Sequence, residues 1–201
     1  DQLILNDQIL ESQDPVFVRL FSYLDALFPC RVPLAVHSHS SVAIAAGLAS
    51  SASGFAALVL ALDKLCQWQL EPTELSILAR LGSGSAARSI YPKAWVRMHK
   101  GQDPSGRDSF ATAYPGGFSD ACLGVVPISC AKKNVSSTKA MGDSVATSPF
   151  YGQWPRLVED DIIAFEEALG EDDFLKAAHI AERNSLAMHA LMHTSDPALN
   201  Y

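Results

Sequence analysis

Three short stretches of this sequence combine residue types that bind anions. The first runs Ala45-Ala46-Gly47-Leu48-Ala49-Ser50-Ser51-Ala52-Ser53-Gly54 and leads into a helical pattern. Small residues let a phosphate approach the backbone. The first N–H groups of the helix lack partners, and the helix dipole favours negative charge there. Serine hydroxyls can donate to phosphate or coordinate Mg²⁺. No Gly-Lys-Ser/Thr follows, so this is not a Walker loop. The same composition also suits a helix start used for tight packing.

The second stretch is Leu81-Gly82-Ser83-Gly84-Ser85-Ala86-Ala87-Arg88-Ser89. Its glycines free the backbone, its serines offer donors, and the planar fork of Arg88 matches a carboxylate or phosphate bidentately. A solvated helix-to-strand loop would read the same way. The third stretch, Lys132-Lys133-Asn134-Val135-Ser136-Ser137-Thr138, places two cations and three hydroxyls before a helix. It could equally be a solvated loop with an N-cap. Two anion-suited loops in one acidic chain are harder to dismiss than either alone.

These stretches must be held by regular elements. Val16 to Phe28 carries apolar residues at 17, 20, 21, 24, 27 and 28, the stripe of an amphipathic helix, with Asp14-Pro15 as its cap and first turn. Val32 to Val36 reads as a strand. Ser50 to Gln69 reads as a long helix, and a second runs from Thr73 to about Gly82. Ser89 to Met98 is rich in β-formers, although Pro92 interrupts it. Gly101 to Gly106 is a polar turn. Tyr114-Pro115-Gly116-Gly117 is the strongest punctuation in the chain, and Cys122 to Ser129 reads as a buried strand. The pattern therefore predicts a domain boundary near residue 119, between a domain over 1–119 and one over 120–201. Asp160 to Leu169 and Phe174 to Met192 read as helices separated by Gly170. The mixed order predicts an α+β fold in two layers.

The chain has 201 residues, 48% of them hydrophobic and 18% charged, enough to bury a core. Its formal charge of −7 argues against nucleic acid as a partner. The longest apolar run, Phe55 to Leu62, is far short of the roughly 20 residues of a membrane span. Cys30, Cys66, Cys122 and Cys130 form no C-x-x-C pair, which suits a reducing, cytoplasmic setting. His189 and His193 stand four apart on a helix without a third ligand nearby, so no metal site of protein ligands is predicted. His37 and His39 read as satisfied structural residues. The pairs Asp160-Asp161, Glu166-Glu167 and Asp172-Asp173 read as solvated helix faces and caps. Trp68, Trp95 and Trp154 read as core or interface anchors.

Five blocks together resemble the mevalonate diphosphate decarboxylases, members of the GHMP kinase superfamily. They are Gly-Leu-Ala-Ser-Ser-Ala-Ser-Gly (47–54), Arg-Leu-Gly-Ser-Gly-Ser-Ala-Ala-Arg-Ser (80–89), Lys-Asn-Val-Ser-Ser-Thr-Lys-Ala-Met (133–141), Thr-Ser-Pro-Phe-Tyr (147–151) and Glu-Arg-Asn-Ser-Leu-Ala-Met-His (182–189). They fall in the family's order. The resemblance implies a GHMP-kinase fold, with a ribosomal protein S5 domain 2-like N-terminal domain followed by a ferredoxin-like C-terminal domain. It implies ATP-dependent decarboxylation of mevalonate 5-diphosphate to isopentenyl diphosphate, with Mg²⁺ and ATP as cofactors, in a cytoplasmic homodimer. By the same resemblance, Gly47, Leu48, Ala49, Ser50, Ser51, Ala52 and Ser53 hold the ATP phosphates. Ser83, Gly84, Ser85, Ala86, Ala87 and Arg88 form the substrate loop, with Arg88 as a catalytic residue. Ser137 and Thr138 lie near the substrate diphosphate.

The sequence also departs from that family. The N-terminal lysine-rich substrate block and the Asp-Ala-Gly-Pro-Asn block with the family's catalytic aspartate are absent, as expected of a chain trimmed at both ends. Ser41, Val42, Ala43 and Ile44 stand where the family has Asn-x-Pro-Thr, and Pro92 and Lys93 replace two glycines. These departures keep other readings open. One is a related decarboxylase or 3-kinase acting on mevalonate or its 5-phosphate. Another is a non-catalytic ATP-binding relative.

Overall fold

The computed structural model describes residues 1–41, 50–126 and 137–200. The chain divides between Tyr114 and Pro115 into two compact units.

In the first unit, β1 (Gln2–Leu5) and β2 (Gln8–Leu10) form a hairpin that pairs Leu3 with Leu10. Its two turn residues, Asn6 and Asp7, have φ of 49° and 64°, as a two-residue hairpin turn of the primed kind requires. The helix α1 (Pro15–Leu27) follows, and β3 (Ala35–Ser38) returns parallel to β1, giving the order β2-β1-β3. The Asp14 side chain caps α1 by accepting from the Val16 N–H, and Pro15 opens it, as the sequence predicts. Two helices, α2 (Ser50–Cys66) and α3 (Pro72–Gly82), supply most of the remaining core. Glu71 and Glu74 form a capping box at the start of α3. A 3-10 segment over Gly84–Ile90 leads to an antiparallel ladder of β4 (Trp95–Met98) and β5 (Ala111–Tyr114).

The core centres on Leu3, Leu24, Val59 and Ala79, of which Leu24, Val59 and Ala79 are wholly buried. The Tyr23 hydroxyl donates to the Leu78 carbonyl at 3.0 Å, and burial pushes its pKa up to about 12. Ser76 is also wholly buried. Its hydroxyl donates to the Ala87 carbonyl at 3.0 Å and accepts from the Ala111 N–H at 2.8 Å. One side chain thus ties α3 to the 3-10 segment and to β5.

Several elements differ from their sequence prediction. The strand predicted at Val32 to Val36 begins only at Ala35, because residues 31–34 are used elsewhere: Leu34 N–H donates to the Asp1 carboxylate, and Pro33 has no N–H to give. Ser89 and Ile90 are 3-10 rather than strand, and Lys93 turns with φ of 56°, so the strand is confined to 95–98. Residues 122–126 form no strand. Leu123, Val125 and Val126 are exposed and have no ladder partner among the described residues, and an apolar run without a partner strand is not a strand. The remainder of that predicted strand lies outside the described residues. His37 and His39 are exposed rather than structurally enclosed. The hairpin and β5 were not predicted.

The regular elements in the described part of the second unit are helices, chiefly α4 (Ser137–Thr147), α5 (Trp154–Gly170) and α6 (Phe174–His193). The turn between α5 and α6 is made by Asp172, with φ of 55°, and by Asp173, whose carboxylate caps α6. Asp161 corrects its reading as a solvated acid. It is 3% exposed, and its carboxylate accepts from Arg183 and, at 2.9 Å, from Asn184. The Glu-Arg-Asn block therefore locks α6 onto α5. Trp68 stacks on Phe28 at 5.5 Å in the first unit, and Trp95 and Trp154 are half-buried.

Candidate functional site

Two of the three anion-suited stretches meet. The first turn of α2 presents Ser51, and the turn after α3 presents Ser83 and Ser85. The Ser51 and Ser83 hydroxyl oxygens stand 3.3 Å apart, and those of Ser83 and Ser85 stand 3.4 Å apart. Ser83 is buried, Ser85 half-buried and Ser51 exposed, so the cluster runs from the interior to the surface. Hydroxyls can rotate to donate to a shared acceptor, which makes the row a ready receptor for phosphate or carboxylate oxygens.

The backbone explains why the sequence folds this way. Gly82 ends α3, and a Cβ there would stand 2.1 Å from Cδ1 of Phe55 on α2. Only glycine lets the two helices approach closely enough for Ser51 to reach Ser83. Ser83 itself is extended, with φ of −156° and ψ of 125°, and its carbonyl accepts from the Ala86 N–H at 2.8 Å. That bond closes the first 3-10 turn. Behind it, Arg80 donates to the carbonyls of Ser109 at 2.9 Å and Gly106 at 3.0 Å, holding the 101–109 loop. Asp108 caps that loop by accepting from the N–H groups of Gln102 and Asp103, which together with Arg80 hold its carboxyl below the usual carboxylate range.

The other predicted residues fall as follows. Gly47, Leu48 and Ala49 lie outside the described residues. Ser50 begins α2 and its carbonyl accepts from the Ser53 hydroxyl at 3.0 Å, while Ala52 faces the core. Gly84 is exposed. Ala86 and Ala87 are wholly buried, so their methyl groups pack the interior. Arg88, at the end of the 3-10 segment, is exposed, and its guanidinium has no ion-pair partner among the described residues. Ser137 and Thr138 open α4 in the second unit, and Thr138 is exposed.

Sequence reasoning placed Gly82 in the serine stretch but missed Arg19, Phe55 and Ser76 as the frame of this site. Their only local signal was a cation flanking the α1 stripe. Among the described residues no group of three His, Cys, Asp or Glu side chains gathers as a metal site, and the His189 and His193 rings are 6.3 Å apart. An open groove of about 420 Å³ in the second unit is lined mainly by apolar side chains such as Trp154, Leu157 and Leu191, with Arg156 and Asp160 at its wall. No helix among the described residues is long and apolar enough to cross a membrane.

A helix start and a glycine–serine turn that pool their hydroxyls mark an α+β protein with a hydroxyl cluster chemically suited to anions. The comparisons with known proteins make this specific. Residues 1–111 match the diphosphomevalonate decarboxylase-like N-terminal domain, and residues 124–201 match the mevalonate 5-diphosphate decarboxylase C-terminal domain. The chain belongs to the diphosphomevalonate decarboxylase family. It is 36% identical over 195 residues to the diphosphomevalonate decarboxylase of Gibberella zeae, covering 96% of this chain and 48% of that protein. It is 37% identical over 184 residues to that of Saccharomyces cerevisiae, covering 88% and 46%. The chain thus spans about half the length of the curated relatives it matches. Its structure is similar to the mevalonate diphosphate decarboxylase of Staphylococcus aureus, with a TM-score of 0.87 and 30% identity over all of this chain and 61% of that one. It is also similar to a structure described as MDDEF in complex with MVAPP, AMPPCP and magnesium, with a TM-score of 0.83 and 33% identity, over all of this chain and 62% of that one.

Proposed function

We propose that the protein carrying this chain is an ATP-dependent decarboxylase of mevalonate 5-diphosphate, producing isopentenyl diphosphate, ADP, phosphate and CO₂. The observation that carries the reading is the convergence of Ser51 with Ser83 and Ser85, which joins the nucleotide stretch to the substrate stretch. Family membership and the likeness to a complex described with MVAPP and AMPPCP support it. The finer fold assignment, a GHMP-kinase arrangement of an S5 domain 2-like and a ferredoxin-like domain, is part of this proposal.

The chemistry is coherent. A tertiary hydroxyl is a poor leaving group, and its phosphate ester is a good one. As phosphate departs, positive charge develops at the carbon that bore the hydroxyl. The bond to the carboxylate then breaks, its electron pair forms the alkene, and CO₂ leaves. The protein's task is positioning and electrostatics. Residues 47–53 receive the nucleotide phosphates, with the Ser51 hydroxyl beside Ser83 of the substrate turn. Ser83 and Ser85 orient substrate oxygens, and the Arg88 fork holds the carboxylate in line. Ser137 and Thr138 serve the diphosphate. Serine hydroxyls suit Mg²⁺ as neutral ligands, so the ion would take its anionic ligands from the phosphates. Bound there, Mg²⁺ supplies charge neutralisation for the phosphoryl group. A homodimer in the cytoplasm completes the proposal, and the exposed free thiols of Cys30, Cys66 and Cys122 support a reducing compartment.

The Arg88 role is tested by kinetics of the full-length protein. Arg88→Lys keeps the charge and loses the fork. A charge-assisted hydrogen bond of about 1.5–3 kcal/mol corresponds to a fall in kcat/KM of roughly 10- to 150-fold. Arg88→Ala should fall further. Unchanged turnover and affinity in both variants would remove Arg88 from the site.

A further inference from the structure

We infer that Arg19 is a positioning residue for the serine cluster, an assignment that rests on reading that cluster as part of the substrate site. Arg19 lies on α1, far in sequence from either serine stretch. Its Nη2 donates to the Gly82 carbonyl at 2.7 Å, and its guanidinium carbon sits 5.2 Å from the centroid of the Phe55 ring. The Gly82 carbonyl is among the last-turn carbonyls of α3 that have no donor within the helix, and a cation there is favoured by the helix dipole.

That carbonyl belongs to the peptide plane joining Gly82 to Ser83. The N–H of the same plane donates to the Ala79 carbonyl at 3.0 Å. Both ends of the plane are therefore pinned, the oxygen by Arg19 and the nitrogen by α3. The plane fixes the direction in which Ser83 projects its hydroxyl, and that hydroxyl is the middle member of the Ser51–Ser83–Ser85 row. Phe55 fills the space that a Cβ on Gly82 would need, so the ring and the guanidinium together allow one placement of this plane. One turn further along α1, Tyr23 makes the matching bond to Leu78, one turn earlier on α3. That bond fastens the same two helices without touching the plane that carries Ser83. The Tyr23 hydroxyl is thus a built-in control: it shares the structural task and lacks the positioning one, while the ring that packs on Phe55 is kept in Tyr23→Phe.

The test compares Arg19→Ala, Arg19→Lys and Tyr23→Phe in the full-length protein, assayed well below each variant's unfolding transition. Arg19→Ala should lower kcat/KM for mevalonate 5-diphosphate about 10- to 100-fold, with ATP affinity held within about threefold, and millimolar guanidinium should restore part of the loss. Arg19→Lys, which keeps one donor and the charge, should fall between wild type and Arg19→Ala. It is the deciding variant if Arg19→Ala does not fold. Tyr23→Phe should lose stability yet stay within about threefold of wild-type kcat/KM. Hydrogen exchange at the Ser83 amide should speed up in the Arg19 variants and not in Tyr23→Phe. Arg19 variants that match Tyr23→Phe in both turnover and Ser83 exchange overturn the assignment. A wild-type protein without turnover overturns the functional reading instead, and the Ser83 exchange still decides whether Arg19 pins the plane.

Discussion

Replacing Gly82 with alanine should destabilise the protein through one identifiable contact. The new Cβ would stand 2.1, 2.5 and 2.6 Å from Cδ1, Cγ and Cε1 of Phe55, far inside van der Waals contact. The ring cannot swing into solvent. It is 8% exposed, packs edge-on against Tyr23 at 5.2 Å, and lies under the Arg19 guanidinium. Overpacking of this kind costs about 1–3 kcal/mol. Alanine regains up to about 1 kcal/mol of helix propensity over glycine, less at the final helical position. The net loss is about 1–2 kcal/mol, a fall in Tm of roughly 2–8 °C by thermal unfolding. Pairing Gly82→Ala with Phe55→Leu makes room for the methyl group. The double variant should therefore lose less than the sum of the two single losses. A Gly82→Ala protein as stable as wild type, or strictly additive losses in the double variant, would refute the close approach of α2 and α3.

Other consequences follow from particular side chains. Ser76→Ala strands the Ala111 N–H and the Ala87 carbonyl, and should cost about 1–3 kcal/mol by denaturant titration. Arg183→Ala leaves the buried Asp161 carboxylate with Asn184 alone. Because the Arg183 side chain is 55% exposed, its loss should cost nearer 1–2 kcal/mol than the ~3–5 of a fully buried pair. Tyr23 titrates at about 12 when folded against 10.0 in an ordinary setting, so the unfolded chain releases its proton first as pH rises. Its contribution is complete below pH 10 and is lost between 10 and about 12, and Tyr23→Phe should flatten that alkaline decline in stability. Asp108 shifts in the opposite direction. Its folded carboxyl titrates below its unfolded range, so its contribution is present above about pH 4 and is lost on acidification, and Asp108→Asn should weaken the acid dependence of unfolding.

Helices were the most legible part of the fold because their signals are local. The cap at Asp14, the proline at the first turn and the 3.6-residue stripe all lie within one segment, and α1 matches its prediction to within a residue at either end. Strands depend on partners that the segment does not contain. Leu123 to Val126 has a strand's composition and no ladder among the described residues, while Gln2–Leu5 is unremarkable in sequence and sits at the centre of a sheet. The site divides in the same way. Its hydroxyls announce themselves in Ser51, Ser83 and Ser85. The residues that bring them together are an arginine from another helix, a buried phenylalanine ring and the glycine that admits it. Nothing local in the sequence distinguishes Arg19 from a solvated cation, and Asp161 was misread because Arg183 and Asn184 lie 22 and 23 residues away.

The central claim is that the joined serine stretches serve an ATP-driven decarboxylation. Its most direct test is the release of labelled CO₂ by the full-length protein, given mevalonate, its 5-phosphate or its 5-diphosphate as carboxyl-labelled substrate with ATP and Mg²⁺. CO₂ and ADP should appear in equal amounts from the 5-diphosphate alone, with no CO₂ when ATP is omitted. CO₂ released from the 5-phosphate in preference, ADP formed from any of the three without CO₂, or no reaction with any of them would contradict the account.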